Sequence, residues 1–160
     1  MNPSVDDRLA SVVRAVTDVI VPSLPPDAGL AREQAQLVVG HLQILRAQLD
    51  AAPAFEQEEL TDARALGVAL LSKGQGGAKT SAALKSLREA VEHDGSSEHC
   101  RQTRMRIIQA IDLVIRGAAI DGSAAFSDHL SKTVVEMQAV RALKDRKWFA
   151  LMGFDVGNIT

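Results

Sequence analysis

The sequence predicts an all-α fold, a single-domain helical bundle of about six helices with a central apolar helix over about 97–120. Three observations predict it. The stretch from Arg104 to Ile120 is apolar round most of a helical circumference. At 100° per residue, Cys100, Ile107, Ile108, Ile111, Val114, Ile115 and Ala118 share one face, and Leu113 and Ile120 carry it round the back. Only Arg101, Gln109, Asp112 and Arg116 keep a polar strip, so this helix is expected in the middle of a bundle. Second, the chain is 46% hydrophobic but only 3% aromatic, with no Tyr. An interior of Ala, Leu, Val and Ile suits close helix packing better than a sheet. Third, Pro and Gly clusters divide the chain into segments of helical length and period, and none alternates as a strand does.

The first helix is expected from about Val5 to Ile20. Val5, Leu9, Val12, Val13, Val16, Val19 and Ile20 form its stripe, Ser4 its N-cap and Pro22 its stop. After a stiff loop, Asp27 is expected to cap a second helix over about Ala28 to Asp50. Its apolar arc holds Leu30, Leu37, Val38, Leu42, Ile44, Leu45 and Leu49, which assigns that arc to the interior. Gln34, His41 and Gln48 interrupt it at seven-residue intervals, and a polar row on a buried face sets register between helices. Pro53 opens the third helix, with Glu56, Glu58 and Glu59 in a first turn whose dipole favours them. Phe55, Leu60, Ala63, Leu66, Gly67 and Leu70 line its inner face, and it ends at Lys73-Gly74. Gly74-Gln75-Gly76-Gly77 reads as a flexible loop. The fourth helix, about Thr80 to His93, points Leu84, Leu87 and Val91 inward and pairs Lys85 with Glu89 and Arg88 with Glu92 outside. Asp94-Gly95 is its stop, and Ser96 or Ser97 the expected cap of the fifth, central helix. A turn at Asp121-Gly122-Ser123 leads into a sixth helix, about Ala124 to Met152, with Phe126, Leu130, Val134, Met137, Trp148 and Leu151 on its stripe. Gly153 to Thr160 reads as a tail. The short connections argue for mostly antiparallel neighbours.

A net charge of −2 supplies no field toward nucleic acid or an anionic membrane. The single Cys100 excludes an intrachain disulfide and fits a reducing compartment. The acidic start of the chain lacks an export signal, and the greasiest stretch is too short and too interrupted to span a bilayer. The chain therefore reads as cytoplasmic, with no membrane partner.

Two motifs fail on spacing. Lys73-Gly74-Gln75-Gly76-Gly77-Ala78-Lys79-Thr80 resembles a phosphate loop, but Lys73 and Ala78 stand where that loop needs glycines, and a helix rather than a strand precedes it. Glu92, His93, Asp94, Glu98, His99 and Cys100 are ligand types without ligand spacing, and Glu89 and His93 are one residue too far apart for a di-iron bundle. Neither a metal nor a cofactor is expected.

One constellation remains. If the last two helices fold back on each other, Arg104 comes opposite Val140 and Arg141. Arg104, Arg141 and Lys144 all project from apolar faces, with Trp148 as a flat wall nearby. Three cations meeting there need carboxylates from another helix, a path to water, or a bound anion gripped by the guanidinium forks. The same bases, with Arg101, Arg106, Arg146 and Lys147, lack the aromatic interleaving and the net positive footprint of a nucleic-acid surface. The reading that follows is a non-catalytic binding or oligomerisation module, with a homodimer as the simplest assembly. It holds a partner helix or a small anionic, partly apolar ligand at Arg104, Arg141, Lys144 and Trp148, with His41 as a further contact. The alternative is an enzyme using His41 or His129 as acid/base, with the cations stabilising an anionic transition state. No nucleophile or oriented base stands out, so the binding reading ranks first.

Overall fold

A computed structural model describes residues 2–93 and 99–148. Among these residues the chain is an all-α helical bundle of six helices, with no strands. The first, α1 (Val5–Arg14), continues without a break through a π-helical stretch (Ala15–Ile20) and a closing turn (Val21–Ser23). The others are α2 (Gly29–Gln48), α3 (Ala52–Ser72), α4 (Ala78–Glu92), α5 (Cys100–Asp121) and α6 (Ala124–Trp148). No described helix is long and apolar enough to cross a membrane. The described residues divide into two compact units, one of residues 2–52 with 146–148, the other of residues 53–145.

In the first unit, Ser4 caps α1 as its sequence requires. Its hydroxyl accepts from the Asp7 amide (3.1 Å), and the Asp7 carboxylate accepts from the Ser4 amide (3.0 Å), a reciprocal box that satisfies two helix-end donors. Pro22 does not stop the helix as expected. The Val21 amide reaches back five residues to the Val16 carbonyl. That wider turn relieves the crowding a proline ring imposes on the carbonyl four residues before it. Asp27 does not cap α2 either. Ala28 holds the cap position with no side-chain bond, and Asp27 contributes its main-chain carbonyl to the Gly29 amide (2.9 Å). Arg46 of α2 ties the two helices, its Nε and Nη2 donating to both oxygens of Asp6 at 2.7 and 2.9 Å. The half-buried side of α2 therefore carries Ala35, Val39, Leu42 and Arg46. Of the apolar arc assigned to the interior, Leu42, Ile44 and Leu49 are half-buried, but Leu30, Leu37, Val38 and Leu45 point the other way and are 72%, 51%, 48% and 52% exposed. No described residue of this unit is buried.

The second unit has the core. Leu60, Leu66 and Leu70 from α3, Leu87 from α4, Ile107, Ile111 and Val114 from α5, and Phe126 and Leu130 from α6 form one buried cluster. The expected inner residues Leu60, Ala63, Leu66 and Leu70 of α3, Leu84, Leu87 and Val91 of α4, and Phe126, Leu130, Val134 and Met137 of α6 are thus where the period puts them, whereas Trp148 falls in the first unit and Leu151 lies outside the described residues. Helix α5 contributes the largest share of this core, through a buried face of Thr103, Ile107, Ala110, Ile111, Val114, Gly117 and Ala118. Its back stays open: Leu113, Ile115 and Ile120 are exposed, so the helix is covered on one side rather than all round. His99, not a serine, is its cap, with Nδ1 facing the Arg101 amide at 3.4 Å. The expected stop at Asp94-Gly95, the cap at Ser96 or Ser97 and the extension of the last helix through Leu151 to Met152 lie outside the described residues.

The glycine-rich loop between α3 and α4 is pinned. Gly76 and Gly122 form an isolated antiparallel bridge, the Gly77 amide donates to the Asp121 carbonyl (2.8 Å), and the Ser123 amide donates to the Gln75 carbonyl (3.0 Å). The Asp121 carboxylate then accepts from the amides of Lys79 (2.8 Å) and Thr80 (2.9 Å) and from the Thr80 hydroxyl (2.6 Å). An acid at the end of α5 thus caps the start of α4, where the helix dipole favours negative charge. The same amides are the ones a phosphate would need, so the false phosphate loop already holds its own anion.

Candidate functional site

Three of the cations singled out by sequence lie in the second unit, and each meets an acid of α3: Arg104 and Arg141 share Glu59, and Lys144 takes Asp62 and Glu58. Glu59 of α3 lies on the row Glu59, Ala63, Leu66, Leu70, which faces the core, and its side chain is 4% exposed. Its Oε2 accepts from Arg104 Nη1 of α5 and lies 3.1 Å from Arg141 Nη2 of α6. Arg141 also faces Asp145 on its own helix at 3.8 Å. One turn from Glu59, Asp62 takes Lys144 Nζ at 2.6 Å, and Glu58 stands at 3.3 Å from the same ammonium. The Lys144 ammonium lies 5.8 Å from the centre of the Phe55 ring, within cation–π range. Partial burial pulls the Lys144 pKa down, but the hydrogen bonds to Asp62 and then Glu58 outweigh it, so the group ends above the ordinary lysine value.

Each cation therefore meets a carboxylate from α3, which removes the physical need for a bound anion. Beside the network is a cavity of about 60 Å³, lined by Glu59, Ala63, Leu66, Arg104, Ile108 and Met137 together with Arg141. That is well below the roughly 150 Å³ that takes up a benzene-sized ligand. Lys144 and Trp148 are not part of its lining. Glu59 Oε1 is buried and has no hydrogen-bond partner among the described residues.

The remaining residues expected at a site lie elsewhere. Trp148 belongs to the first unit, where its main-chain carbonyl accepts from Gln48 Nε2 at 3.1 Å. His41 also belongs to the first unit and is exposed on α2, in line with exposed Gln34. His129 is held at both ring nitrogens: Nε2 lies 3.1 Å from the Ala69 carbonyl and Nδ1 3.4 Å from the Thr133 hydroxyl. A carbonyl only accepts, so Nε2 carries the proton and Nδ1 faces the hydroxyl. Both ring nitrogens thus face groups of the protein itself. Cys100 donates to Gln57 Oε1 at 3.1 Å and is half-buried. No group of three or more metal-ligand residues gathers among the described residues.

No protein-family model, curated protein or solved structure matches this chain. Its chemistry has to be argued from its own geometry. That geometry offers two features: a charge cluster that neutralises itself, and an apolar helix face left open.

The acids of that cluster were missed by sequence reading, which set Glu58 and Glu59 down as first-turn dipole partners. A signal was present. Glu59 sits four residues before Ala63 and seven before Leu66, on the same face of α3. A lone acid on an apolar row is as conspicuous as a lone arginine on one.

Proposed function

We propose that this chain is a non-catalytic binding module that holds a partner helix against the open face of α2. One observation carries the reading: Leu30, Leu37, Val38 and Leu45 of α2 are exposed along one side of the helix, while Ala35, Val39, Leu42 and Arg46 lie on its half-buried side. Isolated exposed apolar residues need no explanation, but apolar residues that recur on one side of a helix over several turns mark an interaction surface. A second helix is the partner such a stripe suits, because apolar anchors returning at seven- and eight-residue steps stay on one side of a helix and fit into the grooves of another.

The small-ligand form of the binding reading is less well supported. Arg104, Arg141 and Lys144 have acids of their own, and the cavity beside them is small. The enzyme reading has less still: His129 is used in packing, and nothing described orients His41.

Leu37→Lys tests the proposal. In dilute protein, the substitution is expected to leave the unfolding free energy within about 0.5 kcal/mol, the usual range for an open position. A core position would lose about 2–5 kcal/mol instead, and a loss of that size in chemical denaturation would show the arc to be interior.

A further inference from the structure

We infer that the partner helix is α2 of a second copy of this chain, packed antiparallel across a two-fold axis that passes between Leu37 and Val38. The inference rests on the binding reading above and names its partner. It follows from the order of residues along the open stripe. Leu37 and Val38 flank the midpoint. Gln34 and His41 lie at equal distances on either side of it, and beyond them Leu30 and Leu45 again lie at equal distances. All six are exposed.

A stripe that reads the same from both ends fits itself. In an antiparallel pair, Leu37 of one copy meets Val38 of the other, Leu30 meets Leu45, and Gln34 meets His41. Each contact occurs twice, as an isologous interface demands. The polar pair is complementary as well. A Gln side chain both donates and accepts, and so does a neutral imidazole, so each Gln34 has a partner in the other copy's His41. An apolar helix from an unrelated protein leaves both groups unsatisfied, and a polar pair inside an apolar seam is a device that fixes register and orientation. The third member of the sequence row, Gln48, is already bonded to the Trp148 carbonyl and lies outside the symmetric set.

The area is adequate for a weak, reversible dimer. With Leu30, Leu37, Val38 and Leu45 half to three-quarters exposed and Gln34 and His41 exposed beside them, the six residues offer on the order of 500 Å² per copy, so complete pairing covers at most on the order of 1,000 Å² in all, the lower bound of a specific interface. Val5, Val12, Val19 and Ile20 of α1 are exposed too and stand outside that figure. No Asp, Glu, Lys or Arg interrupts the stripe, so no like charges oppose each other across the axis.

The test uses the full chain in two measurements. Sedimentation equilibrium over a concentration series is expected to show a monomer–dimer equilibrium at multiples of 17.1 kDa. Leu37→Glu, which places two carboxylates at the axis, is expected to weaken the dimer about 100-fold or more, with helix content unchanged by circular dichroism. In a Cys100→Ser background, Leu37→Cys is expected to react with maleimide slowly in concentrated protein and freely on dilution. A dimer that survives Leu37→Glu and leaves the cysteine reactive would use another face, which overturns the inference. A monomer at every concentration with a reactive cysteine also overturns it, yet leaves an open helix-binding face for a different partner. A monomer with a protected cysteine means the chain covers its own stripe, for example with residues 149–160, and then the binding reading falls as well.

Discussion

The two units of this protein use the same residue types at the same helical spacing and reach opposite outcomes. In residues 53–145, the periodic apolar positions of α3 to α6 are buried together, with Leu70, Leu87, Ile107 and Val114 fully covered and Phe126 almost so. In residues 2–52, Leu30, Leu37, Val38 and Leu45 of α2 stand in solvent, Leu42, Ile44 and Leu49 are only half-covered, and no described residue is buried. Both patterns are amphipathic in the usual sense. The contrast shows that helical period identifies which face needs covering but not which chain covers it. Four helices bring enough faces to close a core within one unit. Two helices bury one shared seam and leave the rest open.

Substitutions of like kind in the two units sharpen this contrast. Leu87→Ala deletes most of a fully buried side chain and is expected to cost about 2–5 kcal/mol in chemical denaturation, whereas Leu45→Ala on α2 of the dilute protein stays within about 0.5 kcal/mol. Equal losses at the two positions would erase the distinction. The charge network is next. Arg104→Ala leaves a buried Glu59 with only Arg141. Losing one partner of a fully buried pair costs about 3–5 kcal/mol, and with the Arg104 side chain 23% exposed the expected loss is nearer 2 kcal/mol. Arg116→Ala, which breaks the open pair with Asp112 at 2.8 Å, is expected to cost less than about 0.5 kcal/mol.

Backbone approach gives smaller effects. In Gly117→Ala the new methyl would lie 3.1 Å from the Lys79 carbonyl oxygen and 3.3 Å from Thr80 Cα, both main-chain atoms. Helices α4 and α5 must separate slightly, at an expected cost of about 1–2 kcal/mol. In the coreless unit the same change has the opposite sign. Gly40 lies inside α2 with nothing within 4 Å of an added methyl, so Gly40→Ala is expected to stabilise by about 0.5–1 kcal/mol.

The smallest effect is on pH dependence. The Thr80 hydroxyl, then the amides of Lys79 and Thr80, hold the Asp121 carboxyl below its ordinary value, and the Arg46 hydrogen bond does the same for Asp6. A lowered folded-state pKa gives stability that is full above the unfolded value of about 3.9 and is lost as pH falls through the folded one. Melting temperature should therefore drop below about pH 4, and it should drop less steeply in Asp121→Asn. An unchanged slope would mean the acid-labile groups lie elsewhere.

Much of the fold was legible in the sequence. The six segments, the Ser4 cap and the inner residues of α3, α4 and α6 follow from periodicity and punctuation, which are local. What failed to show needed non-local facts. Pro22 reads as a stop because nothing local announces a π-turn upstream of it. The glycine loop reads as flexible because its partner, Asp121, lies some forty residues away and caps it in space rather than in sequence. Arg104 and Arg141 stand out in the sequence as charges on apolar faces, but their meeting point on Glu59 depends on how three helices converge, and single-helix patterns do not carry that. The open arc of α2 was assigned to an interior, because a hydrophobic stripe looks the same whether its cover is internal or external.

The stitching of the glycine loop to the turn after α5 has a practical consequence. By composition, residues 74–77 resemble a linker, the place one would choose to splice in a tag, open a permuted terminus or cut with a protease. The amides and carbonyls there are bonded to residues 121–123, so a cleaved main chain stays clasped across the break and an inserted peptide has to pry two segments apart. Within this unit the apparent hinge is a buckle.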